Sequence, residues 1–401
     1  MRRRTMIAGA GAALLAPNPA SPQVPDLPPE LPEGTRQIAR FANLPDKTRL
    51  LRLTDRPPNY ATPTSVFADA VTPNDRFYVS YHLDAVPEVQ PIDDWRLALG
   101  GDAAFRDVQL TWNDLADLPQ IELLAVCQSA GNRRGLTVPH VAGVQWTDGA
   151  MGCAAWRGPR LSDVLKAARA KPNAIEIWFG GADIPTQPGL PPFRKSLPIA
   201  KAMDEDTIVA VTMNGAPLPL LNGYPARLVV PGWVGTYWIK HLNSIQISSV
   251  PLANFWMTAT ERVRAGLFPV KLPFTSQTTE TTVPVTELVV NSIIADPAEG
   301  GEAERSGFTV RGVAWDRGTG IRRVEVSFDD GKTWQDALLD RPQGSYAFRR
   351  FSVDSGFMRR GNYRLVSRAT NNDGERQPEE LKANPGGYHN NVPRAISVRV
   401  T

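Results

Sequence analysis

Short apolar runs separated by proline and glycine dominate the chain. IELLAV (121–126), AIEIWF (174–179) and ARLVV (226–230) have the length of strands rather than of helices. One segment has helical spacing: in RLSDVLKAARA, Leu161, Val164, Leu165 and Ala168 fall on one face, and Ser162 stands where a cap would be. From about residue 75 to 250 the pattern therefore reads as an α+β region. Near PFTSQTTETTVPVTE the composition shifts to threonine and proline, as domain boundaries do. Beyond it the pattern is purely β. Val324, Val326 and Phe328 alternate with polar residues, and Asp330-Gly331 supplies a hairpin turn. With FTVRGVAW, YRLVSRAT and AISVRV at similar spacing, the expected architecture is an immunoglobulin-like sandwich.

The first residues, MRRRTMIAGAGAALLAPNPA, read as an export leader: a basic start, an apolar stretch from Met6 to Leu15, then small residues. That stretch is short for a bilayer span, and the adjacent arginines point to twin-arginine export and a periplasmic location. The organisation expected is a leader over 1–20, an extended Pro-rich connector over 21–60, an α+β domain over 61–272 and the sandwich over 285–401.

Composition narrows the function. The 401 residues carry 44 Lys+Arg against 41 Asp+Glu, a formal charge of +3, so no basic field of the kind that binds nucleic acid is present. Cys127 and Cys153 cannot make a disulfide scaffold, and His82, His140, His241 and His389 match no zinc spacing.

The stretch AVCQSAGNRRG (125–135) concentrates candidate chemistry. Ser129 as a hydrolase nucleophile fits poorly, because the elbow motif wants glycine where Cys127 stands. Cys127 could serve redox or metal chemistry, although a lone cysteine after an apolar run is commonly a small buried hydrophobe. Arg133 and Arg134 could grip an oxyanion, with Asn132 and the Ala-Gly backbone as further donors, or could belong to a surface ion-pair cluster.

QSAGNRRG resembles the signature of the sulfite oxidase family of molybdenum-molybdopterin oxidoreductases, whose pattern there is Q-C-[AS]-G-N-R-R. FYVSYHL, DGAMGCAAWRGPRLSDVLKAA and MNGAPLPLLNGYPARLVVPGWVGTYWIKHLNSI resemble further blocks of its cofactor domain. VEVSFDDGKTW, YAFRRF and NPGGYHNN resemble its immunoglobulin-like dimerisation domain. The resemblance implies an α+β molybdopterin-binding domain followed by an all-β sandwich, in a homodimer or heterodimer without a membrane span. The similar branch is the bacterial exported sulfite dehydrogenases, which oxidise sulfite, a small oxyanion, and pass electrons to a c-type cytochrome. The chain has no C-x-x-C-H, so that cytochrome would be a separate protein.

Carried over position by position, the resemblance implies cofactor contacts at His82, Asn132, Arg134, Asn222, Arg227 and Lys240. Arg134 and Arg349 would reach the substrate pocket. Three positions depart from the family. Ser129 stands where a cysteine thiolate ligates molybdenum, with Cys127 two residues earlier as a less favoured ligand. Ser80 replaces a substrate arginine, and Glu261 replaces a catalytic tyrosine. A hard serine oxygen differs from a soft thiolate as a ligand, and a carboxylate at 261 is expected to repel a dianion. The alternatives implied are a catalytically silent relative or an oxidoreductase for a neutral substrate such as a sulfoxide.

Overall fold

The computed structural model describes residues 40–401 apart from 184 and 187. The expected leader and the first part of the expected connector, 21–39, lie outside the described residues. The connector reading is corrected at its end: strands Arg40–Leu44, Lys47–Asp55 and Pro58–Ala61 pair antiparallel and are joined by Val79–Ser80. Leu50, Leu51 and Leu53 on the second strand are buried, so this segment belongs to the globular body. Its apolar residues need a covered face, which prolines further upstream had masked in the pattern.

Two larger sheets, with two short two-stranded ribbons, complete the first domain. A five-stranded sheet runs in the order Arg194–Pro198, Glu176–Gly181, Leu242–Ser248, Arg96–Gly100, Val108–Thr111. A four-stranded sheet has at its heart the strands Gln120–Gln128 and Met151–Pro159, paired antiparallel from Gln120↔Pro159 to Gln128↔Met151. Ala125, Val126, Cys127, Cys153, Ala154 and Trp156 are all buried, so both faces of this strand pair are covered. Ser129 and the turn after it begin where this long pairing ends.

The helix at 161 is one turn, Leu161–Leu165, and buries Leu161, Val164 and Leu165 as its spacing requires. Ser162 does not cap it. The N-cap is Arg160, with no side-chain cap, and the Leu161 N–H donates instead to the Thr207 carbonyl at 2.8 Å. A neighbouring loop thus satisfies a backbone donor that a cap would otherwise take.

The C-terminal domain is a sandwich of two sheets, Asn291–Asp296, Thr309–Trp315, Arg349–Asp354, Leu338–Leu339 and Gly301–Ala303, Ala395–Val400, Gly361–Asn371, Ile321–Ser327, Gln335–Asp336. Asp330 and Gly331 both have positive φ, 60° and 83°, as the hairpin turn demands. Strand alternation divides the apolar residues between two interiors. Val310 and Ala314 join Val324, Val326, Leu365 and Ile396 inside the sandwich, while Val313, Trp315 and Ile293 join the core of the first domain.

Polar contacts pin the two domains. Arg133 Nε lies 2.5 Å from Asp148, its Nη1 donates to Asn291 and its Nη2 to the Ser292 carbonyl, each at 2.8 Å. Arg394 also pairs with Asp148. Burial opposes ionisation of Asp148, but the Arg133 and Arg394 guanidiniums hold its carboxyl below the usual range. Trp315 Nε1 donates to Gln128 Oε1 at 2.6 Å, one residue before Ser129.

Candidate active site

A cleft opens at the end of the Gln120–Gln128 strand. Its walls carry Ser80, His82, Ser129, Arg134, Asn222, Arg227, Lys240 and Glu261, eight of the positions expected from sequence. Residues separated by up to 181 positions thus meet in one place.

The turn after Gln128 is closed by its own backbone: Asn132 N–H donates to the Ser129 carbonyl at 3.0 Å, and Gly131 N–H to Ser129 Oγ at 3.2 Å. Arg133 takes the left-handed conformation, with φ of 66°, and the arginine pair is thereby sent in different directions. Arg133 belongs to the domain interface rather than to an anion site, and only Arg134 lines the cleft. A Cβ on Gly131 or Gly143 would stand within 2.8 Å of the Arg134 guanidinium, so these glycines make the channel it passes through. Arg134 Nε then donates to the Gly386 carbonyl at 2.7 Å, in the second domain.

Asn132 and Arg349 are not on the cleft wall. Asn132 Oδ1 accepts from Ala150 N–H at 3.0 Å and braces the turn from behind. Arg349 opens a strand paired with Thr309–Trp315, where Ala314 faces it, and sheet register rather than proximity to the motif decides its position. The residue that the second domain contributes to the cleft is Tyr388. Cys127 also lies behind the wall: it is fully buried, its Sγ 3.2 Å from Tyr78 Oη and 3.3 Å from Arg227 Nη2. Burial pushes its thiol up despite the nearby Arg227 guanidinium.

One end of the cleft forms a cationic cradle. Arg227 lies over Trp156 and Trp238, 5.2 and 5.7 Å from the ring centroids, and donates to the Asn222 carbonyl at 3.0 Å. Its buried Nε has no partner among the described residues, nor has the buried Oγ1 of Thr236 on the same wall. Lys240 Nζ donates to the Ser80 carbonyl at 2.8 Å and sits 4.1 Å from the Tyr81 ring centroid. Burial lowers its pKa to about 8, against the pull of Asp183. Lys47 reaches Asn222 Oδ1 from behind, and burial lowers it to about 7. The Ser80 hydroxyl is spent on Asn59 Oδ1, at 3.1 Å.

The other end holds Glu261. Its Oε2 accepts from Lys195 Nζ at 2.9 Å and from Thr260 Oγ1 at 2.8 Å, and its Oε1 lies 3.3 Å from His82 Nε2. His82 stacks on Phe193, the ring centroids 4.2 Å apart. Burial disfavours the carboxylate, yet the Lys195 ammonium and His82 hold it well below the usual range. The expectation of naked repulsion at 261 is therefore corrected: the charge is matched by a buried lysine. Lys195, Tyr388, Thr236 and Asp183 were not anticipated. Lys195 alone left a trace, as a cation inside the strand pattern RKSLP.

Two orphaned donors in a cationic cradle, Arg227 Nε and Thr236 Oγ1, are what a phosphate-bearing pterin would satisfy, and the residues present fit such a group. Residues 82–256 match the oxidoreductase molybdopterin binding domain, and residues 282–400 the Mo-co oxidoreductase dimerisation domain. The chain is 34% identical over 306 residues to the mitochondrial sulfite oxidase of Homo sapiens, covering 73% of this chain and 55% of that one. It is 32% identical over 324 residues to the sulfite oxidase of Gallus gallus, covering 78% and 68%. The crystal structure of the sulfane dehydrogenase SoxCD from Paracoccus pantotrophus superposes with a TM-score of 0.74 at 25% identity, covering 92% of this chain and 90% of that one. Together these define a chain built of an oxidoreductase-type molybdopterin-binding domain and a sandwich dimerisation domain. The chain belongs to the sulfite oxidase family, whose cofactor is molybdenum-molybdopterin. It spans little more than half the length of the mammalian relatives it matches. Among the described residues, no helix is long and apolar enough to cross a membrane.

Proposed function

We propose that the protein oxidises sulfite, with water as the oxygen source, to sulfate, releasing two electrons and two protons, and that the electrons pass to a separate c-type cytochrome. The observation that carries this reading is the charge of the cleft. Arg134, Arg227 and Lys240 line it and Lys195 pairs with its wall, four cations against the carboxylates of Asp183 and Glu261. Such a surplus, set in low-dielectric walls, favours anions. When bound, the molybdenum cofactor supplies two-electron oxygen-transfer chemistry. Arg227, Lys240 and Asn222 would hold its phosphate end, Ser129 would face the metal, and Arg134 would orient the anion. His82 and Glu261 form a fixed, charge-balanced wall beside them. Export through the leader to the periplasm and assembly as a dimer complete the proposal.

Ser129 favours a second reading, in which the cofactor is bound but turnover is silenced, because an oxygen replaces the thiolate donor. The experiment is to measure molybdenum and released pterin in purified protein, and to assay sulfite-dependent cytochrome reduction in it and in Ser129→Cys. Stoichiometric molybdenum with turnover in the native protein is the result expected. Turnover only in Ser129→Cys establishes the silenced form, and protein lacking both metal and pterin overturns both readings.

A further inference from the structure

The second domain closes one side of the cleft with a turn built around one tyrosine. In the segment Asn384-Pro385-Gly386-Gly387-Tyr388, the Asn384 side chain holds both ends of Tyr388, its Oδ1 accepting from Tyr388 N–H and its Nδ2 donating to the Tyr388 carbonyl, each at 2.9 Å. Both glycines are required by what passes next to them. A Cβ on Gly386 would lie 2.1 Å from the Tyr388 ring, and one on Gly387, at φ of 58°, would lie 2.7 Å from Val141 and 2.9 Å from Arg134 Cγ. The turn is thus shaped to place a phenol against Arg134, whose guanidinium carbon is 5.3 Å from the ring centroid.

Two donors remain unspent there. Tyr388 Oη accepts from Glu261 N–H at 3.2 Å, which fixes the oxygen, while its own hydrogen is donated to no described residue. Arg134 spends Nε on Gly386 and directs Nη1 at the Val144 carbonyl at 3.4 Å, and its Nη2 donates to no described residue. A phenol O–H and a guanidinium N–H held side by side on one wall suit a ligand that carries negative charge and several oxygens. A neutral acceptor would use one of them and leave the guanidinium charge unmatched.

We propose that Tyr388 is a substrate-binding residue, pairing with Arg134 to form a two-donor clamp that selects a small sulfur oxyanion over a neutral sulfur compound. The proposal rests on the reading above only for the identity of the anion. The clamp also explains how a cleft with a carboxylate at position 261 can take an anion: Glu261 is neutralised from behind by Lys195, and its backbone N–H holds the phenol.

The test is a calorimetric titration of the full chain with sulfate, with pterin measured in the same sample. Tyr388→Phe keeps the ring beside Arg134 and removes only the hydroxyl. Sulfate affinity is expected to fall on the order of tenfold, the loss of one hydrogen bond to a charged group. Tyr388→His, which retains a ring and a donor, is expected to bind within a few-fold of the native protein. Dimethyl sulfoxide, as a neutral probe, is expected to compete no better in the native protein than in Tyr388→Phe. Native-like sulfate affinity in Tyr388→Phe, or a native protein that does not bind sulfate, overturns the proposal. If Tyr388→Phe fails to fold, a normally melting Tyr388→His with a tenfold loss overturns it as well. Tyr388-dependent sulfate binding in pterin-free protein sinks the proposed function and leaves the clamp standing, whereas pterin-loaded protein indifferent to Tyr388 does the reverse.

Discussion

Lys195 Nζ and Glu261 Oε2 lie 2.9 Å apart, and neither side chain is more than about a tenth exposed: 2% for the lysine and 11% for the glutamate. A pair so placed fixes the wall of a binding cleft without adding net charge to it. Removing one partner leaves the other buried and uncompensated. Lys195→Met is therefore expected to lower unfolding free energy by about 3–5 kcal/mol, and the double variant Lys195→Met/Glu261→Gln to recover much of that loss. Urea denaturation of the two variants checks this. Equal losses in both would show that the coupling is absent.

Asp148 is expected to hold the domains as one cooperative unit. It faces Arg133 and Arg394 together, so Asp148→Asn strips the buried Arg133 of its counter-charge and leaves Arg394 with Glu299 alone. The expected result is a loss of about 3–5 kcal/mol and, by calorimetry, separation of the single thermal transition into two.

The cradle is expected to be pH-dependent when no phosphate fills it. Lys47 and Lys240 are lowered to about 7 and 8 by burial, so the unfolded chain binds more protons than the folded one from about pH 7 to the ordinary lysine value of 10.5. Stability of pterin-free protein should rise with pH across that window. Binding of inorganic phosphate should weaken over the same range, because the cations that attract it are lost. Thermal melts and phosphate titrations at pH 6.5 and 9 measure both slopes.

His241 is expected to set part of the acid limit. Its Nε2 lies 2.8 Å from Tyr81 Oη and its Nδ1 is 2.7 Å from the Tyr224 carbonyl, a pattern that suits a neutral ring. Burial depresses its pKa from 6.5 to about 3. The unfolded chain takes the proton first, so stability present above pH 6.5 is lost as pH falls toward 3. In His241→Gln the urea midpoint should change less between pH 7 and pH 4.5 than in the native protein.

Much of this arrangement was legible in the sequence because it depends on local period. Strand alternation gave the sandwich and its hairpin at Asp330-Gly331, and one ordered set of blocks brought Ser129, His82, Arg134, Arg227 and Lys240 to a common site. What was not legible depends on backbone reversal or on distant partners. The left-handed turn at Arg133 separates two neighbouring arginines that look equivalent in a linear motif. Arg349, which opens a strand of the second domain, is not among the residues that line the cleft. Lys195 and Glu261 are 66 residues apart, and Glu261 and Tyr388 are 127 apart, so neither pairing leaves a periodic signal.

The turn at 384–388 and the ion pair at Arg394 also order events in time. Synthesis delivers these residues after nearly everything else in the cleft, so the anion-binding wall cannot exist on a nascent chain that stops short of them. A fragment interrupted earlier would present the cradle and the Ser129 turn with one side open to water. The cleft wall is therefore complete only in a chain that has folded its C-terminal domain.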